Sequence, residues 1–334
     1  MGNLTELKRP VIWFVTLILA ASISTLVATC YLGVGPFTRT RTRLVVSTTT
    51  SLYDTGLLDI IEDRFEAKYP IDIYFISAGS GIAIKYAQRG DADMVLVHAP
   101  PEERTFLQSG YGVCRKIIAY NFFTIVGPET DPAMIKGLGT TEALKRVAQA
   151  GRRGEAFWVS RGDGSGTHIK EKELWAASGL NWSSLRNEGW FVDAGASMGK
   201  ALQIANEKMA YTLADMGTYL KYYADKLISL AVIVEAGKEL LNVYSAITVN
   251  TTYNPEANFD AAVVFTKFLI SEEGQEVIGG FGQGTYPRKL FYPAAELLRE
   301  NTNATLVGWI KEEAYIEGEE CPKQYQNGHK ELYG

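Results

Sequence analysis

The chain has 334 residues, 46% hydrophobic and 21% charged, with a formal net charge of −5. That composition excludes global disorder and leaves room for roughly two domains at ~100–200 residues each. The acidic balance excludes a nucleic-acid partner, whose phosphates reward a basic face, but it allows a small anion held by one arginine and local dipoles.

Between Arg9 and Arg39 there is no charged residue, and the run over 11–35 is mostly apolar and long enough to cross a ~30 Å hydrocarbon core. Lys8 and Arg9 suit an N-terminus (1–10) left in the cytoplasm, against which Arg39, Arg41 and Arg43 weigh. The apolar core is longer than the ~7–15 residues of a secretory signal and lacks an A-x-A site, so an uncleaved membrane anchor is expected. Cys30 offers a lipid attachment point in a competing reading, but Thr29 before it is not the small residue usual there. A linker over 36–43 then leads to a soluble body on the extracytoplasmic face of the cell membrane. Cys114 and Cys321 have no Cys or His at metal-ligand spacing, so no metal site is expected, and one disulfide or two buried thiols stay open.

From Leu44 the pattern alternates: strands at 44–46, 71–77 and 94–97, helices at 56–69, 80–89 and 102–109. This βαβα rhythm predicts an α/β layer with a parallel sheet. The first strand runs into Ser47-Thr48-Thr49-Thr50-Ser51, a hydroxyl-rich turn at the positive end of the next helix, which favours an anion without a metal. Ala78-Gly79-Ser80-Gly81 repeats the theme, with Ser80 near an N-cap and two glycines that let backbone approach a ligand. Asp91 and Asp93 read as turn residues, and His98 at the following strand end could reach the cleft, although a lone histidine is more often structural.

Asn121–Val126 is a strong strand that stops at Gly127-Pro128, and 242–250 is a second such run. Read as crossings, they give a first lobe of 44–126 plus 246–300, an inserted second lobe of 127–245, and a polar tail of 301–334. The inserted part holds the sharpest motif. A strand at 157–160 ends in Arg161-Gly162-Asp163-Gly164-Ser165-Gly166-Thr167, and a helix follows from His168 to Ala177. The glycines let N–H groups, that of Gly166 included, curl toward an anion; Ser165 and Thr167 add hydroxyls, and Arg161 adds a planar fork of donors. The turn has neither the G-x-x-x-x-G-K-[ST] nor the G-x-G-x-x-G spacing, which excludes two nucleotide loops. Its competing reading is an Arg161–Asp163 pair stabilising its own turn. Ser197 and the 211–213 strand are further candidates for the cleft, Ser197 equally for a helix cap.

In this order, the 47–58 segment, the 78–81 turn, Gly90-Asp91-Ala92-Asp93 with Val97-His98-Ala99-Pro100, and 160–168 resemble the tungstate-binding proteins of tungstate ABC transporters. The resemblance covers about 44–287. It implies a two-lobed periplasmic-binding-protein (type II) fold, each lobe a mostly parallel sheet flanked by helices, here preceded by a transmembrane helix. It implies a monomer that closes on tungstate or molybdate and delivers it to an ABC transporter permease, without a cofactor. Its oxyanion-binding residues would be Thr49, Thr50, Ser51, Ser80, Arg161, Ser165, Gly166 and Thr167.

The chemistry agrees. Tungstate and molybdate are fully deprotonated near neutrality, so their oxygens only accept hydrogen bonds and suit a site of donors. Phosphate keeps a proton and rewards a carboxylate, for which Asp54 and Asp163 are the candidates, so a phosphate- or sulfate-binding protein is the alternative. An anchored enzyme is a more distant one: with three histidines (His98, His168, His329), no G-x-S-x-G and no H-E-x-x-H, no nucleophile–base pair is legible.

Overall fold

The computed structural model describes residues 41–235 and 237–333. The span expected over 11–35 lies outside them, as does Cys30. Among the described residues no helix is long and apolar enough to cross a membrane.

β1 (Thr42–Thr49) leads through a single turn, α1 (Thr50–Tyr53), into α2 (Leu57–Lys68). Leu57, Leu58, Ile61 and Phe65 recur at helical spacing and form the buried face of α2, with Asp59 in its first turn and Lys68 in its last to complement the helix dipole. Tyr69, held extended before Pro70, ends it. There follow β2 (Ile71–Ala78), α3 (Ser80–Gln88), β3 (Met94–Val97), α4 (Pro100–Gln108) and a sixteen-residue β4 (Gly112–Gly127). Beyond it come α5 (Thr140–Arg152), β5 (Trp158–Ser160), α6 (Gly166–Ala177), α7 (Trp182–Leu185), β6 (Phe191–Asp193) and α8 (Met198–Glu207). β7 (Tyr211–Asp215), α9 (Met216–Ala224), β8 (Ala231–Glu235) and β9 (Leu241–Val249) precede α10 (Phe259–Leu269) and α11 (Glu272–Gly280). β10 (Tyr292–Pro293), α12 (Ala295–Glu300) and α13 (Ala304–Ala314) complete the fold.

The strands join in the order β2-β1-β3-β9-β4-β7-β5-β6, with β8 and β10 also on β4. β1 is parallel to β2 and β3, and β5 to β6 and β7, but β9 is antiparallel to β3 and β4, and β4 to β7 and β8. The sheets are therefore mixed, which corrects the mostly parallel expectation. The βαβ units are parallel as their rhythm predicts, and β4, reached through α4, keeps the direction of β3 in the first sheet; β9, which lies between them and arrives from β8 without an α-helix, runs against both, and β4 in turn runs against β7 and β8 in the second sheet.

β4 pairs with β9 up to Phe122 and with β7 from Phe123, so one continuous strand belongs to both sheets. The pairing returns to the first sheet at Leu241. Both exchanges precede the 126/127 and 245/246 boundaries read from sequence, because Gly127-Pro128 ends the strand rather than marking where it changes partners.

Phe65 meets Phe265 and Phe268 edge-on under the first sheet, at 4.9 and 5.4 Å between ring centroids. Trp158 and Trp175 do the same in the second, at 5.0 Å. The 301–333 segment is built in: Val307, Ile310 and Ala314 of α13 pack with Ile117, Tyr120 and Leu241. Glu320 accepts from Lys116 Nζ at 2.8 Å and from the Ile117 N–H at 2.7 Å. Cys114 and Cys321 are both buried free thiols.

Candidate anion-binding site

β1 delivers five hydroxyl residues in a row, and its register sorts them. Ser47 Oγ donates to the Ala83 carbonyl at 2.9 Å and Thr48 Oγ1 to that of Leu96 at 3.1 Å, so both are spent inside the first sheet. Thr49 caps α1 by accepting from the Leu52 N–H. Thr50, half-buried, turns toward the second sheet. The N–H groups that open α3 at Ser80 and α6 at Gly166 have no partner within their helices and project from neighbouring turns.

Arg161 joins these turns. Its side chain is 1% exposed. Nη2 reaches Asp163 Oδ2 at 2.5 Å and Thr50 Oγ1 at 3.4 Å, Nη1 reaches Thr167 Oγ1 at 3.4 Å, and Nε faces the Ala196 carbonyl at 3.4 Å. One guanidinium thus touches the 160–167 turn, the 194–197 loop and, across the space between the sheets, α1. The Arg161–Asp163 pair foreseen as the competing reading exists, and it does not exhaust the fork. Asp163 has both oxygens in use, since Oδ1 accepts from the Ser165 N–H at 3.1 Å.

The turns approach closely enough to demand glycine at two points. Gly162 holds φ at +65°, and a Cβ there would strike the Asp193 carboxylate. A Cβ on Gly166 would lie 2.7 Å from the His98 carbonyl oxygen and 2.9 Å from its ring.

The structure thus brings Thr49, Thr50, Ser51, Ser80, Arg161, Ser165, Gly166 and Thr167 to the facing ends of β1, α3 and α6. Ser80 Oγ is fully buried and has no hydrogen-bond partner in the protein. An orphaned buried hydroxyl on a turn packed against the 164–165 loop is what a site for an absent acceptor looks like. Ser165 Oγ accepts from the His168 N–H, which leaves its own proton free. Ser197 sits at the N-cap of α8, is exposed and makes no side-chain capping bond.

The second sheet also grips α1 from behind. Lys221 of α9 donates to the Asp54 carbonyl at 2.6 Å. Burial pushes the Asp54 carboxyl above its ordinary range, with Lys221 and Arg161 opposing.

Three supporting residues escaped the sequence reading or were set aside in it. Glu171 of α6 is fully buried and accepts from Trp158 Nε1 at 2.9 Å, Ser160 Oγ at 2.8 Å and Trp175 Nε1 at 3.3 Å, fixing the strand end from which Arg161 projects. Burial raises its pKa to about 7. Its signal was present: His168, Glu171, Leu174 and Trp175 share one helical face, where a carboxylate among rings needs donors. His168 Nδ1 accepts from the Gly164 N–H at 2.9 Å and clamps the glycine turn, while burial lowers its pKa. His98 lies behind α1, its Nε2 3.2 Å from Ser51 Oγ.

Residues 35–273 match the PBP superfamily domain. A tungstate-binding protein of Peptoclostridium acidaminophilum is 37% identical over 262 residues, 77% of this chain and 88% of that one. The solved tungstate-binding protein of Desulfovibrio alaskensis G20 is 39% identical with a TM-score of 0.65, covering 76% of this chain and 100% of its own. A structure described as the tungstate ABC transporter from Geobacter sulfurreducens is also 39% identical, with a TM-score of 0.64 over 72% of this chain and 98% of that one.

Proposed function

The chain belongs to the PBP superfamily and, within it, to the family of tungstate-binding proteins, and from that premise we propose that it captures a tungstate-type oxyanion between its two sheets for an ABC permease. The two sheets are the lobes of this reading, and Arg161 with Thr50, Ser80, Ser165, Thr167 and the Gly166 N–H supplies the ligands. The observation that carries it is the buried Arg161 fork shared between α1 and the 160–167 turn, together with the unpartnered Ser80 hydroxyl on the turn packed against that loop.

Every group assigned to the anion there can donate. A tetrahedral dianion offers only acceptors, and one positive guanidinium with several neutral donors holds it without a metal. Phosphate is less well served: its proton needs an acceptor, and Asp163, the carboxylate at Arg161, is already engaged through both oxygens with Arg161 and the Ser165 N–H. An extracytoplasmic body fits the family, and the anchor read at 11–35 would keep it beside the permease.

Calorimetric titration of the purified chain with tungstate, molybdate, sulfate and phosphate tests the proposal. Tungstate binding with phosphate silent supports it. Phosphate binding with tungstate silent overturns it.

A further inference from the structure

Beneath the anion site runs a line of polar side chains whose donor and acceptor roles can be assigned from one end. Asn121 of β4 places Nδ2 3.1 Å from the Leu290 carbonyl, which can only accept. Its amide orientation is thereby settled, and its Oδ1 faces Asn242 Nδ2 of β9 at 2.8 Å. Asn242 Nδ2 also lies 3.0 Å from Tyr244 Oη, so its two hydrogens are both used and its Oδ1 turns to His98 Nδ1 at 2.7 Å. An amide oxygen only accepts; His98 therefore carries its proton on Nδ1 and leaves Nε2 bare. Ser51 Oγ, 3.2 Å away, donates to that nitrogen. Ser51 has one proton and gives it to His98, so in the 3.3 Å contact between the two hydroxyls Thr49 Oγ1 donates to Ser51 Oγ.

We propose that His98 is the positioning residue of the oxyanion site: as an Nδ1–H tautomer braced by the two strands that join the sheets, it turns the Ser51 and Thr49 hydroxyl protons away from the anion and pins α1. Thr50, Ser80, Ser165 and Thr167 are then the hydroxyl donors, and Ser51 and Thr49 act through the backbone turn they hold. The ring is set for this task. It is 3% exposed and stacks on Tyr244 at 4.9 Å and on Phe123 at 6.0 Å, one residue from each connecting strand. Its burial, with Arg161 nearby, lowers its pKa to about 4, so it stays neutral and accepting near neutrality. Its carbonyl also backs Gly166, so the same residue underlies both turns of the site.

The inference rests on the oxyanion reading for its purpose but not for its geometry, and the tests separate the two. Nitrogen-15 spectra of the histidine rings in the full chain without anion, with His98 identified by its loss in His98→Gln, should show a protonated Nδ1 and a bare Nε2. In Ser51→Ala the Nε2 resonance should move while Nδ1 stays protonated. A proton on Nε2 in the wild-type chain would overturn the relay whatever the ligand. For function, His98→Leu should weaken tungstate binding about tenfold or more, because α1 loses the bond that pins it in place for the anion. His98→Gln, which keeps one donor and one acceptor, should bind at least about threefold tighter than His98→Leu. A folded His98→Leu chain with wild-type affinity would refute the positioning role. A wild-type chain blind to tungstate but with the Nδ1–H tautomer would remove the oxyanion reading, and the proposed role with it, while leaving the relay's geometry standing.

Discussion

Replacing Arg161 by lysine keeps the charge and removes the fork. In the structure, Nη1 and Nη2 face different turns, Thr167 on one side and Thr50 on the other, while Nη2 also serves Asp163. A lysine ammonium is a point donor on a flexible stem and cannot span that set. A hydrogen bond to a charged partner is worth about 1.5–3 kcal/mol, so losing one prong to a dianion should raise the tungstate dissociation constant about 10- to 150-fold. Because the charge that balances Asp163 remains, the fold should survive; deleting it outright would leave that half-buried carboxylate unpaired. Calorimetry for affinity and thermal melting for integrity provide the two readouts. A folded Arg161→Lys chain that binds within about threefold of wild type would show Arg161 to be structural, paired to Asp163 and indifferent to the ligand.

Ser80→Ala should weaken tungstate binding about fivefold, an ordinary hydrogen bond of about 1 kcal/mol, while the melting point of the anion-free chain holds or rises because an unpartnered buried hydroxyl is removed; a lower melting point with unchanged affinity would contradict this. Gly166→Ala sets a methyl 2.7 Å from the His98 carbonyl oxygen, so the two turns should be unable to close and affinity should fall about tenfold or more at unchanged helix content by circular dichroism. Wild-type affinity there would mean that the close approach is not needed for binding. Glu171 holds its proton up to about pH 7 in the folded chain but loses it near 4.5 when unfolded, so folded stability falls by about 3 kcal/mol as pH rises through that window. His98, lowered from 6.5 to about 4, acts in the opposite sense below pH 6.5. Denaturant titrations of Glu171→Gln and wild type should therefore diverge in the variant's favour from about pH 5 to pH 7 and run parallel above it, and curves parallel throughout would show that Glu171 does not titrate there.

Much of this site is written locally. The glycine turn at 160–167, the hydroxyl run after β1 and the Ser80 turn are each short motifs whose strand-turn-helix setting follows from spacing. What spacing does not carry is which side of a strand each hydroxyl faces. Ser47 and Thr48 look equivalent to Thr50 in sequence, yet β1 sits between β2 and β3, and two of the three are consumed there. His98 reads from sequence as a lone, structural histidine, since its partners Ser51 and Asn242 lie 47 and 144 residues away and no spacing links them. The first half of β4 was hidden for another reason. Arg115 and Lys116 interrupt its apolar pattern, and both are buried only because Glu103 and Glu320 meet them at 2.8 Å. The tail likewise looked polar and unattached, since Glu320 finds its partners only in the folded chain.

The central claim, that one anion is held between the turns of two sheets, is tested most directly by crystals of the chain grown with tungstate and measured at a tungsten absorption edge. The account predicts a single anomalous peak within hydrogen-bonding reach of Arg161, Thr50, Ser80 and Thr167. No peak there, or a peak elsewhere on the chain, would contradict it.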